Sequence, residues 1–224
     1  MRFQDAARDA RAVVYAGIQA DPQVARAAEL LASASLAQRV LARAVMNGET
    51  TDAEGWRGTF PGLFGAAATD PTERARSEAI LAASLAVAER GELVRSQVRG
   101  AIVEELTARL LARRVGPTGV RRERRILFDG VRAEIHPYDV TVESGAAEAY
   151  DCKWGARGIN ADVLYQLDDA RTHAVDEGEP LTVALVVFDA ARSCAVRLAA
   201  QTAPHQGTAV VTLETLDELA ERSA

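Results

Sequence analysis

The sequence predicts an α/β protein, with an α-helical N-terminal region followed by a core of order α-β-β-β-α-β around a mixed central sheet. Three observations carry this reading. Residues 1–91 are alanine-rich, with apolar side chains at helical spacing. Beyond residue 119 the pattern changes to short, partly alternating apolar runs bounded by turns. A further helical stretch then leads into residues 181–188, LTVALVVF, where a nearly unbroken apolar run fits a strand buried on both faces.

In order along the chain, helical periodicity covers residues 7–18, 24–31, 36–45 and 79–88. Asp21-Pro22 and Asp70-Pro71 read as helix starts, an acid at the N-cap followed by proline in the first turn. Asn47-Gly48 and residues 55–68 read as loop. A longer helix spans 92–114, with Val98, Ile102, Leu106 and Leu110 on one face, and Gly116-Pro117-Thr118-Gly119 stops it. Strand signals follow at 126–128, 131–135, 140–142 and 147–154. Then come a helix over 161–177, the strand 181–188, a helix near 192–200, a strand over 208–213 and a terminal helix from Thr215. This divides the chain into an accessory helical region, 1–91, and a core, 92–224.

Composition bounds the function. With 48% hydrophobic and 26% charged residues, the chain has the make-up of an ordinary globular protein. It shows no apolar run long enough to span a membrane and no leader-like start, so no membrane partner is expected. The two cysteines, Cys152 and Cys194, have no metal-ligand spacing, and a reduced cytoplasmic setting is the simplest expectation. A net charge of −6 argues against a protein that coats nucleic acid. Yet residues 109–125 hold seven arginines and a single acid, Glu123. That segment is either a solvated surface or a local grip on a phosphate backbone, with Arg121, Arg122, Arg124 and Arg125 as candidates for the contacts. Among 26 basic residues Lys153 is the one lysine, which suggests a position that wants a compact ammonium.

The chemistry concentrates in two short stretches, His136-Pro137-Tyr138-Asp139-Val140-Thr141-Val142 and Asp151-Cys152-Lys153-Trp154. Alternation in a strand puts Asp151 and Lys153 on one face and Cys152 and Trp154 on the other. If the turn at 143–146 joins two neighbouring strands, Asp139 comes beside Asp151. Two adjacent carboxylates repel, and a hard divalent cation removes the conflict. Such an ion polarises a phosphate, and an ammonium beside it orients water or offsets developing negative charge.

These residues resemble the PD-(D/E)XK nuclease superfamily over roughly residues 92–188. Asp139 matches the first motif acid and Asp151-Cys152-Lys153 the D/E-x-K element, although the proline stands two residues before Asp139 rather than next to it. The resemblance implies a restriction-endonuclease-like core and a Mg²⁺- or Mn²⁺-dependent deoxyribonuclease, acting in defence against foreign DNA or in repair. It implies that Asp139 and Asp151 bind the metal and that Lys153 positions the water. It also implies an acid from the preceding helix as a further metal ligand or base. Gly100-Ala-Ile-Val-Glu104 has that form, with Glu105 as competitor. Gln166, in the helix after the lysine strand, takes the place of a substrate-contacting glutamine, while the tyrosine that RecB-like members carry four residues later is replaced by Ala170.

Plainer readings stand beside these. Each acid, taken singly, suits a turn or ion pair. His136, His173 and His205 suit surface or packing roles, and Cys152 and Trp154 suit the core. Two functional alternatives follow. One is an inactive nuclease-like fold used for nucleic-acid binding or assembly. The other is a module whose N-terminal helices mediate a homodimer or bind a partner subunit.

Overall fold

A computed structural model describes residues 1–6, 10–66, 68–132, 136–204 and 207–221. The expected strand residues 133–135 and His205 lie outside these. The chain forms two compact units, Met1–Ala12 with Thr107–Ala224, and Val13–Leu106. The sequence suggests a division at residue 92. By compactness the boundary falls inside the long helix that begins there.

The second unit is helical. Its described helices are α1 (Ala10–Gln19, which starts in the other unit), α2 (Pro22–Ala32), α3 (Leu36–Asn47), α4 (Ala53–Thr59), α5 (Pro61–Phe64), α6 (Pro71–Ala88) and the first part of α7 (Glu92–Val115). Both acid-proline starts cap their helices: Asp21 accepts from Gln23 N, and Asp70 from Thr72 N and Glu73 N. Ser35 and Gln38 form a reciprocal capping box at α3. Helix α2 buries Val24, Ala27, Ala28, Leu31 and Ala32, one face of a helix, and α2 and α3 pack on α6. The expected loop over 55–68 instead contains α4 and α5, short helices begun by Asp52 and by Pro61. Their three glycines and two aromatic residues within a few turns mask any helical period.

The first unit is built on a mixed sheet of seven strands among the described residues: β1 (Arg2–Asp5), β2 (Val120–Phe128), β3 (Val131–Arg132), β4 (Tyr138–Val142), β5 (Ala147–Lys153), β6 (Leu181–Val187) and β7 (Ala209–Val211). The order is β1-β2-β4-β5-β6-β7, with β3 paired to β2. The β1–β2, β2–β4 and β4–β5 pairs are antiparallel, whereas β5–β6 and β6–β7 are parallel. Parallel neighbours need crossovers. These are helix α8 (Ala161–Asp176) between β5 and β6, and α9 (Ala191–Ala199) between β6 and β7. A single helical turn, α10 (Glu218–Glu221), ends the described chain.

Two differences from the sequence reading stand out. Arg2–Asp5 is a strand rather than helix, because its backbone groups pair with the edge of β2 through Arg2↔Leu127 to Asp5↔Arg124. Strand β2 also begins six residues earlier than the apolar signal. It includes the arginine run because β4 pairs with Val120–Arg124. Asp129 (φ 45°) and Gly130 (φ 82°) close the β2–β3 hairpin as a two-residue turn of left-handed backbone.

The sheet has a helix on each face. On one, Cys152 Sγ lies 3.5 Å from Thr107 Oγ1, and Arg114 Nη2 donates to Glu148 at 2.7 and 2.9 Å, which places the last turns of α7 there. On the other, Ala149, Val183, Leu185 and Val187 join α8's Leu164 and Leu167 in one apolar core. Asp151 and Lys153 share the alternation of Ala149, and so belong to this second face.

Candidate metal and phosphodiester site

Strand register brings the three central residues together. Val140 pairs with Tyr150 in the antiparallel β4–β5 ladder, so Asp139, one residue earlier, stands across from Asp151, one residue later. Asp139 Oδ2 accepts the backbone N–H of Cys152 at 2.6 Å. The Lys153 ammonium donates to Asp151. Asp151 is 7% exposed, and the Lys153 side chain 26%.

The electrostatics follow from that grouping. Burial of the Lys153 ammonium lowers its pKa, but the charges of Asp151 and then Asp139 outweigh this and hold it well above its ordinary value. Lys153 therefore stays protonated across the working pH range. It is suited to donate hydrogen bonds and to offset negative charge, not to take up a proton.

Two carboxylates on neighbouring strands match the hard oxygen donors that Mg²⁺ takes, one or two from protein with water and phosphate oxygens completing the shell. No group of three His, Cys, Asp or Glu suited to a metal occurs among the described residues. Glu104, the expected third acid, belongs to the helical unit. There it is 4% exposed, accepts from the Tyr15 hydroxyl, and accepts Gln19 Nε2 at 2.8 Å. Its competitor Glu105 is half-buried.

The candidate substrate residues divide. Gln166 is 2% exposed and its amide clasps the backbone of His136, with Oε1 accepting from N at 2.9 Å and Nε2 donating to O at 3.1 Å. The Tyr138 hydroxyl donates to Gln166 O at 3.3 Å. Gln166 thus braces the chain leading into Asp139. Arg124 is committed to Glu143, through Nε at 2.7 Å, and to Asp5. Arg125 is half-buried. Arg121 and Arg122 join Arg109 around a recess of about 340 Å³ floored by Ala108, Ala112, Pro117 and Val120. No acid lines it.

Cys152 is 5% exposed against Thr107, as expected of a core residue. Trp154 stacks on Phe188 and His173 on Phe128, with ring centroids 5.0 and 5.5 Å apart. Sequence reasoning missed the turn after Lys153. There Asp189 Oδ2 accepts from Ala156 N at 3.0 Å, and Gly158 lies against the Lys153 stem. The acid that directly follows the apolar run 181–188 was the available signal.

No family model, curated protein or solved structure matches the chain.

Proposed function

We propose that this chain is a metal-dependent nuclease of the PD-(D/E)XK type, hydrolysing phosphodiester bonds of DNA. The observation that carries the reading is the grouping of Asp139, Asp151 and Lys153 at the ends of two paired strands, with the lysine held as a cation beside both acids. The order α7, β2, β4, β5, α8, β6 supports it. Three antiparallel strands are followed by a helical crossover to a parallel fourth, the arrangement expected of a restriction-endonuclease-like core.

In this reading Asp139 and Asp151 hold Mg²⁺ or Mn²⁺, which when bound supplies Lewis-acid polarisation of the scissile phosphate. The hydrogen bond from Cys152 N fixes one oxygen of Asp139, so its carboxylate is oriented before substrate arrives. Lys153, always charged, directs its hydrogens to the attacking water or to a non-bridging oxygen, where negative charge grows. Arg121, Arg122 and Arg109 take the phosphate backbone at the recess. The test is cleavage of end-labelled single- and double-stranded DNA and RNA with Mg²⁺, Mn²⁺ and excess chelator.

A second reading, a nuclease-like fold that binds nucleic acid without cutting it, draws on one observation. Both acids already have protein partners, Cys152 N for Asp139 and the Lys153 ammonium for Asp151. Protection of DNA without cleavage under every metal condition would favour it.

A further inference from the structure

We infer that the turn after β5 is a positioning device for Lys153: Gly158 forms a wall along the lysine stem, and Asp189 holds that wall in place. The kinetic half of this inference rests on the nuclease reading above. The structural half does not.

The turn Ala156–Gly158 folds back over the strand that carries Lys153. A methyl group added at Gly158 would lie 2.9 Å from each of Cβ, Cγ and Cδ of Lys153. Real carbon contacts of this kind do not get so short, so something must move. The Cβ atom is anchored to the strand, and Lys153 lies in the β5–β6 ladder opposite Val187, with Lys153 O accepting from Phe188 N at 2.9 Å. The stem must swing, and because the Lys153 Cβ cannot swing with it, the turn must shift as well. The glycine backbone itself is therefore what the stem leans on, over three successive carbons.

The turn is held from several sides. Gly158 N donates to Gly155 O at 2.8 Å, and Ile159 N to Ala156 O at 3.0 Å. Asp189, 5% exposed at the end of β6, uses one oxygen on Ala156 N at 3.0 Å and the other on Ala190 N at 2.8 Å. From α9, Arg197 Nε donates to Ile159 O at 2.8 Å. A long flexible amine loses rotamer freedom when it is fixed. Fixing the first three carbons against a rigid wall leaves only the final rotations to be set by Asp151. A buried carboxylate that accepts two backbone N–H groups is a costly way to tie a surface turn unless the position of that turn matters.

The single lysine makes the test direct. Lysine labelled with ¹³C and ¹⁵N gives one set of side-chain resonances in the full chain, read without metal or substrate at one fixed pH. The wild type should show through-space contacts from the Lys153 stem protons to the Gly158 α-protons. Gly158→Ala should move the Lys153 Cε and Nζ resonances and abolish those contacts, with backbone resonances elsewhere unchanged. Asp189→Asn keeps the shape but weakens one backbone bond, and should move the same resonances less. In cleavage, Gly158→Ala should lower kcat by about 100-fold with KM nearly unchanged, the signature of a misplaced catalytic group rather than lost binding. Missing wild-type contacts would overturn the inference even if Gly158→Ala failed to fold. So would unmoved Lys153 resonances in a folded Gly158→Ala protein, or an unchanged kcat. If the wild type cleaves nothing, the nuclease reading fails while the resonances still decide whether the wall exists.

Discussion

Gln166 separates a structural role from a substrate role. The resemblance made it a substrate contact, whereas the structure has its amide clasping both backbone groups of His136 while 2% exposed. Gln166→Ala removes two hydrogen bonds, each worth about 1 kcal/mol net. It also removes one buried methylene, worth about 0.8 kcal/mol. The expected loss is about 3 kcal/mol. Gln166→Leu keeps the volume, and exposed His136 regains water on its backbone groups, so that variant should lose about 1–2 kcal/mol. The assay is urea unfolding followed by Trp154 fluorescence in a Trp56→Phe background, since these are the only two tryptophans and Trp154 lies in the sheet unit. Nucleic-acid affinity of the folded variants is measured in parallel and should hardly change. A stability change under about 0.5 kcal/mol, the range of inert surface substitutions, together with a large loss of affinity would refute the brace.

Three further outcomes are expected. Replacing Arg121 and Arg122 with glutamine should reduce the log–log salt slope of DNA binding by about 0.7–0.9 per lost phosphate contact. Arg124→Gln, which breaks the pairs with Glu143 and Asp5, should instead lower stability and leave the slope alone; reversed results would move the grip to Arg124. Cys152→Ser should keep substantial activity, at a stability cost of about 1–3 kcal/mol softened by Thr107 Oγ1 as a partner. A folded but inactive serine variant would point to thiol chemistry. In the helical unit the hydrogen bond from Arg90 holds the Asp21 pKa below its ordinary value. A depressed acid stabilises above its unfolded pKa, about 3.9, and the gain disappears as pH falls through the folded value. Arg90→Gln should therefore cost stability at neutral pH and approach wild type in strong acid, as followed by helical circular dichroism. An equal deficit at both pH values would contradict the assignment.

Much of the fold was legible because the features responsible are local. Asp21-Pro22 and Asp70-Pro71 start helices through their own side chains, and the alternation of residues 147–153 places Asp151 and Lys153 on one face of β5. The pairing of Asp139 with Asp151 was readable because a short turn fixes hairpin register. What escaped depends on partners distant in sequence. Arg2–Asp5 becomes a strand only because β2 offers an edge, and the arginine run of β2 shows no apolar pattern because β4, not its own burial, extends it. Arg114 sat in the basic segment as one more cation, yet it is spent on Glu148, which the Tyr150 hydroxyl also meets. Asp189 escaped for the same reason, since it holds Ala156, 33 residues away. Gly158 escaped because its contact with the Lys153 stem depends on how the turn folds back, which no residue pattern displays.

The central claim is that Asp139, Asp151 and Lys153 form a metal-dependent hydrolytic site. Its most direct test compares Mg²⁺-dependent cleavage of labelled DNA by the wild type and Lys153→Ala, with Mn²⁺ binding measured on the same samples. The account predicts cleavage by the wild type that chelator abolishes. It also predicts a loss of about 100-fold or more in Lys153→Ala, in keeping with removal of one electrostatic catalyst, while Mn²⁺ still binds. Near-normal turnover in the folded variant, or Mn²⁺ binding unaffected by Asp139→Asn and Asp151→Asn, would contradict it.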